Sequence, residues 1–144
     1  MASKTATSTR LWYEALPTPR ATPSSMSVAE LHALSMEQRV GKAYVVVDVR
    51  RTDIDEAEHG RLLPVAINLP AQTFYHTLPV IFQIVGQIPK VIFHCSSSRG
   101  RGPRCAAWYQ DYLDDQDCRT SKSYVLEGGI KAWCEAFPEE TVTV

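Results

Sequence analysis

This sequence predicts an α/β fold with a central, mainly parallel sheet and helices on both faces, and three observations carry that expectation. First, the runs AYVVVDV (43–49) and KVIFHC (90–95) are apolar with no polar alternation. A strand reads this way when both its faces are covered, as in parallel sheets. Second, Phe74, Leu78, Ile81, Val85 and Ile88 recur at helical spacing between those two runs. Third, strand-like and helix-like stretches alternate from Ser27 to Phe137, the pattern of a layered α/β domain.

Each element has its own signal. Ser27 and Glu30 form a capping-box pair, which starts a helix over about 28–35. Residues 50–64 are charged and aperiodic and read as a loop or short helix. Residues 65–69 form a short strand ended by Pro70. Pro79 either kinks the helical stretch 71–87 or opens a second helix within it. PRCAAWYQDYL (103–113) is predicted as a helix with proline at its first position, where a missing N–H costs nothing. SYVLEGG (123–129) is a strand running into a Gly-Gly turn, and 129–137 is the last helix. No internal repeat is visible. The division expected is a flexible extension over 1–26, holding several Thr, Ser and Pro, followed by one catalytic domain over 27–144.

Composition excludes several classes. No apolar run approaches the ~18–20 residues of a membrane helix, and MASKTATSTR has no apolar core of the kind a secretory signal carries. Cys95, Cys105, Cys118 and Cys134 show no CxxC spacing, so no metal site is expected. They are read as reduced thiols of a cytoplasmic or nuclear protein. The net charge is −1, yet between His59 and Gln110 there is no Asp or Glu, while Arg61, Lys90, Arg99, Arg101 and Arg104 all fall there. Acids flank this stretch at Asp53, Asp55, Glu56 and Glu58, and at Asp111, Asp114, Asp115 and Asp117. A basic middle suits an anionic ligand. Neither nucleic acid nor membrane is an expected partner.

The chemistry concentrates in His94-Cys95-Ser96-Ser97-Ser98-Arg99-Gly100-Arg101-Gly102-Pro103. Cys95 ends a strand, and ligands of parallel sheets bind beyond strand carboxyl ends. Successive N–H groups of a tight loop, here from Ser96, Ser97, Ser98, Arg99 and Gly100, form a nest for an oxyanion. A following helix N-terminus adds positive potential. Gly100 and Gly102 permit unusual backbone angles and close approach. Arg101 can grip two oxygens at once, which Lys cannot. The same field favours the thiolate of Cys95, so the nucleophile needs no general base. His94 is expected to support the loop rather than move protons, and Asp48 to pair structurally within its Asp-x-Arg strand end. Cys105 is expected to be a core thiol, although its place on the first helical turn would let it resolve an oxidised Cys95. A leaving-group acid is not evident; Asp55, Glu56 and Glu58 are candidates because their loop could approach.

His-Cys-x5-Arg-Gly-Pro resembles the active-site loop of two related groups, the cell-division-cycle dual-specificity phosphatases and the eukaryotic arsenate reductases with their small phosphatase relatives. Both resemble rhodanese in fold. Val46–Arg50 (VVDVR) is similar to the Asp-x-Arg strand end of rhodaneses, and Ala66-Ile67-Asn68-Leu69-Pro70 to their Ala-x-Asn-x-Pro strand. Leu126-Glu127-Gly128-Gly129-Ile130 with Trp133 resembles their closing Gly-Gly-x-x-x-Trp. The chain departs from the pattern where Gly60-Arg61-Leu62-Leu63 replaces the usual Gly-His-Ile. It also has Gly100 where the cell-cycle phosphatases carry Glu, and Val49 at their reserve cysteine. Arg99 is more like the arsenate reductases, which favours that small branch.

The resemblance implies a cysteine-dependent phosphatase as the first reading. Cys95 would attack phosphorus and form a cysteinyl phosphate, while Arg101 and loop N–H groups hold the oxyanion. The alternative is arsenate reduction by the same loop, with glutathione as external thiol. A rim of Arg99 and Arg104 would attract the carboxylates of that thiol. A thiosulfate-type sulfurtransferase is disfavoured because such enzymes have a loop one residue shorter. An inactive binding module is disfavoured because Cys95 and Arg101 are both present. The expected ligands are phosphate, arsenate or a phosphorylated substrate, with no bound cofactor; the oligomeric state is not legible.

Overall fold

The two apolar runs become neighbouring central strands of a parallel sheet. The computed structural model describes residues 11–54 and 60–143. Its elements are β1 (Ser24–Met26), α1 (Val28–Glu37), β2 (Tyr44–Asp48), a 3-10 turn (Thr52–Ile54), β3 (Arg61–Leu62), β4 (Ala66–Asn68), α2 (Ala71–Phe74), α3 (Leu78–Val85), β5 (Lys90–His94), α4 (Arg101–Asp115), β6 (Lys122–Leu126), α5 (Gly129–Ala136) and β7 (Val142–Thr143). The main sheet has the order β1-β6-β5-β2-β4, and every pairing in it is parallel. β3 and β7 form a separate antiparallel pair.

The missing polar alternation has the expected cause. Val45, Val47 and Val49, with Val91, Phe93 and Cys95, pack into one core with α2, α3 and α4. Tyr44, Val46 and Ile92 point the other way, into a second core with Leu31, Ile130 and Trp133 from α1 and α5. Burying a side chain such as Phe93 contributes about 1.5–3 kcal/mol, and its ring meets Phe74 edge-on at 5.4 Å. Strand alternation therefore puts Cys95 on the α4 side of the sheet.

The capping box forms as expected, with the Glu30 N–H donating to Ser27 Oγ at 3.0 Å and the Ser27 N–H to Glu30 Oε1 at 2.9 Å. Pro79 stands in the first turn of α3, so it opens a second helix rather than kinking one. Three boundaries need correction. First, residues 24–26, ahead of the expected domain start at Ser27, form an edge strand of the main sheet. Upstream of it, Trp12 packs edge-on against Trp108, whose indole N–H donates to the Pro17 carbonyl at 2.9 Å. Arg20 also pairs with Asp111 and Asp115, which explains two of the flanking acids. Second, α4 starts two residues earlier than expected, so Arg101 opens the helix and Pro103 is its third residue. Pro103 still lies among the N–H groups that have no intrahelical partner. Third, β3 and β7 were not anticipated, being too short to leave a pattern.

Sheet order positions the site. The connection leaving β2 runs to β4 on one side, and that leaving β5 runs to β6 on the other. Between two adjacent strands whose exits diverge, a crevice opens beyond their carboxyl ends. The segments after Asp48 and after His94 face each other there. Among the described residues, no helix is long and apolar enough to cross a membrane.

Candidate active site

Cys95 follows directly on β5 and is buried. Its Sγ accepts the Gly102 N–H at 3.3 Å, from the first turn of α4. The helix N-terminus thus faces the sulfur, where its partial positive charge favours an anion. Gly102 makes this approach possible: a Cβ there would stand 3.3 Å from the Cys95 nitrogen and 3.4 Å from the His94 carbonyl carbon.

The closing Gly-Gly turn anchors the loop from the other side. The N–H groups of Ile130 and Lys131 donate to the carbonyls of Cys95 and Ser96, each at 3.1 Å. In a trans peptide the N–H points opposite to the C=O, so the Ser96 and Ser97 N–H groups turn away from α5. Gly129 has φ +62, and a Cβ on it would lie 2.6 Å from both carbonyl oxygens. No other residue fits there. Ser98 adopts φ 58, the left-handed turn typical of a nest. Its hydroxyl is buried and has no hydrogen-bond partner among the described residues. Gly100, by contrast, has open space where a Cβ would go, so crowding does not require a glycine there.

His94 is sealed in the protein, and burial lowers its pKa, so the ring is neutral. Its Nδ1 lies 3.1 Å from the Cys95 carbonyl. A carbonyl only accepts, so Nδ1 carries the hydrogen. Asp48 forms a buried fork with Arg50, Arg50 Nη2 donating to Asp48 Oδ2 at 2.7 Å. Arg50 also donates to the Arg61 carbonyl, and the Asn68 amide donates to the carbonyls of Asp48 and Arg50. This network clamps the exit of β2 behind the loop. Cys105 is fully buried, and burial pushes its thiol pKa up, with the Cys95 charge adding to the effect.

One residue in the site was not singled out beforehand. Asp53, on the 3-10 turn after β2, takes both arms of Arg101: Nη1 to Oδ1 at 2.9 Å and Nη2 to Oδ2 at 2.7 Å. Ser96 Oγ donates to Asp53 Oδ2 at 3.3 Å, and the Arg51 N–H to Oδ1 at 3.1 Å. The Arg101 guanidinium holds the Asp53 carboxyl well below the usual carboxylate range, and Asp53 in turn raises the Arg101 pKa. The available signal was an acidic run leaving one buried strand beside the strand that ends in Cys95. Asp55, Glu56 and Glu58, named as possible acids, lie outside the described residues.

The outer cations separate. Arg99 is exposed and lines a groove of about 850 Å³ together with Ser97, Ser98 and Lys131. The Arg104 guanidinium stacks 3.5 Å above the Tyr13 ring, so its charge is engaged by the N-terminal segment rather than standing clear on the rim. Among the described residues, no group of three or more His, Cys, Asp or Glu side chains is arranged to hold a metal ion.

The model of the rhodanese-like domain matches residues 27–136. The chain belongs to the rhodanese family. Within it, this rhodanese-like chain is 34% identical over 116 residues to "Arsenical-resistance protein 2" of Saccharomyces cerevisiae, covering 76% of this chain and 87% of the yeast protein. It is 30% identical over 112 residues to "Arsenate reductase 2.1" of Oryza sativa subsp. japonica, covering 76% of this chain and 66% of that protein. A "Dual specificity phosphatase Cdc25" of Arabidopsis thaliana is 27% identical over 90 residues, covering 61% of this chain and 60% of its own length. Among solved structures, the As-Sb reductase from Leishmania major superposes with a TM-score of 0.64 at 20% identity, covering 83% of this chain and 84% of that one. That likeness establishes the shared fold. The arsenate reductases and the phosphatase expected as relatives from the loop are therefore both present.

Proposed function

We propose that this rhodanese-family chain is a thiol-dependent arsenate reductase. The observation that carries the reading is the 34% identity spanning 87% of the yeast arsenical-resistance protein. This reverses the order of the first two readings from sequence, because the phosphatase relative matches less of the chain at lower identity.

The geometry supports the chemistry. Cys95 Sγ attacks arsenic, an As–O bond breaks, and the departing oxygen leaves as water. Arg101 and the N–H groups of Ser96 and Ser97 hold the remaining oxygens, with Ser98, Arg99 and Gly100 completing the loop. Asp48 and His94 keep the two strand ends in place. An external thiol such as glutathione then attacks the Cys95 sulfur. The S–As electron pair goes to arsenic, giving arsenite and a mixed disulfide. A second thiol releases Cys95 from that disulfide.

The same cradle suits phosphoryl transfer, and the Arabidopsis relative keeps that second reading alive. One assay separates them: arsenate reduction with glutathione against hydrolysis of an aryl phosphate, on the same pure protein. Thiol-dependent reduction outrunning hydrolysis is expected. Hydrolysis with no reduction at any thiol concentration would put the phosphatase first.

A further inference from the structure

The fork of Arg101 is already filled. An arginine offers five donors in one plane, and a bidentate partner uses one edge of that plane. Here the partner is the Asp53 carboxylate, whose Oδ2 also accepts from Ser96 Oγ, the hydroxyl next to the nucleophile. Two oxygens of one anion, held by the loop arginine and by the residue after Cys95, are what an oxyanion substrate would present. Asp53 reaches this place on a short turn and is about one-third exposed, as is Arg101 to a lesser degree, so water and ligand can reach the pair.

We propose that Asp53 occupies the oxyanion position in the resting protein and that an incoming oxyanion takes Arg101 from it, leaving the Asp53 carboxyl beside the substrate as proton donor to the departing oxygen. This rests on the reading of 95–101 as an oxyanion site. Among the described residues, the groups facing Asp53 are the Arg101 guanidinium, the Ser96 hydroxyl and the Arg51 N–H. Once Arg101 turns to a dianion, Asp53 loses its main counter-charge and gains a negative neighbour. Both changes favour its protonated form, and solvent supplies that proton as the dianion binds. With hydrogen arsenate, the S–As bond forms, one As–O bond breaks, and the Asp53 proton completes the leaving water. The carboxylate then pairs with Arg101 again when the site empties. A phosphomonoester would use the same proton for its leaving alcohol.

The test uses the full chain with Cys95→Ser, which removes chemistry and keeps the cradle, and inorganic sulfate as the probe. An occupied fork lowers apparent affinity by the fraction of time that it is closed. Calorimetry should therefore show sulfate binding at least ~10-fold tighter in Asp53→Asn/Cys95→Ser than in Cys95→Ser. Equal or weaker binding would mean that Asp53 merely props Arg101 and would overturn the proposal, leaving the oxyanion site intact. No sulfate binding by either Cys95→Ser or Asp53→Asn/Cys95→Ser would overturn the site reading and this proposal with it. Should Asp53→Asn not fold, carboxyl NMR of Asp53 in the Cys95→Ser chain decides. Its pKa should rise when sulfate saturates, and an unmoved titration overturns the exchange. In the otherwise native chain, Asp53→Asn should lower kcat for arsenate reduction by ~10²-fold or more, while anion affinity rises. Retained kcat would overturn the donor role.

Discussion

Two Asp–Arg forks stand within a few residues of each other at the carboxyl edge of the sheet, and they do different work. Asp48 and Arg50 are sealed, their side chains 2% and 0% exposed. Asp53 and Arg101 are 31% and 24% exposed. Both forks are bidentate, with a shortest contact of 2.7 Å. Geometry alone would rank them as equals, but solvent separates them. A charge left alone in the interior is costly, so neither Asp48 nor Arg50 can leave its partner. A partly exposed arginine can exchange one anion for another, because water and ligand compensate it. Chain separation points the same way. The sealed fork joins residues two apart, whereas the open fork joins residues 48 apart, across the crevice between β2 and β5.

The largest expected effect lies at Cys95, the proposed nucleophile beside the open fork. Cys95→Ser should abolish turnover of arsenate or aryl phosphate while sulfate binding persists. Substantial turnover in that variant would remove Cys95 from the mechanism. Next comes the sealed fork. Arg50→Ala leaves Asp48 buried and uncompensated, so it should destabilise the fold by about 3–5 kcal/mol. Asp53→Asn should change stability by no more than ~1 kcal/mol. Urea unfolding of the two variants side by side checks this, and equal losses would erase the distinction between the forks.

A smaller effect is expected within the open fork. Arg101→Lys keeps the charge but loses the planar grip, and kcat/KM should fall ~10²-fold. Arg99→Ala and Arg104→Ala should lose less. Arg99 borders the groove beside the loop, and Arg104 is stacked on Tyr13. Steady-state rates of all three variants decide it, and equal losses would deny Arg101 its special place.

The smallest effect is in acid. The Asp53 pKa is depressed in the folded protein by Arg101. Its contribution to stability is present above the ordinary carboxylate pKa and is lost as pH falls from there through the depressed folded value. Screening at this exposure keeps the contribution within ~1 kcal/mol. Acid unfolding of Asp53→Asn should lack this component. A native-like acid slope in that variant would show that the open fork adds nothing to stability.

Sequence alone determined the parts whose causes are local. Buried strands announced themselves by uninterrupted valines, and the capping box by Ser27 and Glu30. The loop announced itself as a candidate site through Cys95, Arg101 and Gly102, which combine a strand end, a fixed spacing and a helix start within eight residues. Gly129 was legible as half of a Gly-Gly turn. That its missing side chain lets α5 reach the Cys95 and Ser96 carbonyls was not, because the two segments meet only when β6 lies beside β5. The same holds for Trp12 against Trp108, for Arg104 over Tyr13, and for the β3–β7 pair. Asp53 is the sharpest case. In sequence it is one acid in a charged loop, indistinguishable by pattern from Asp55, Glu56 or Glu58. Only the order of strands, with exits from β2 and β5 diverging around one crevice, brings its carboxylate to Arg101. Hydrogen bonds reach about 3 Å, and which distant residues come that close is settled by how the sheet is assembled.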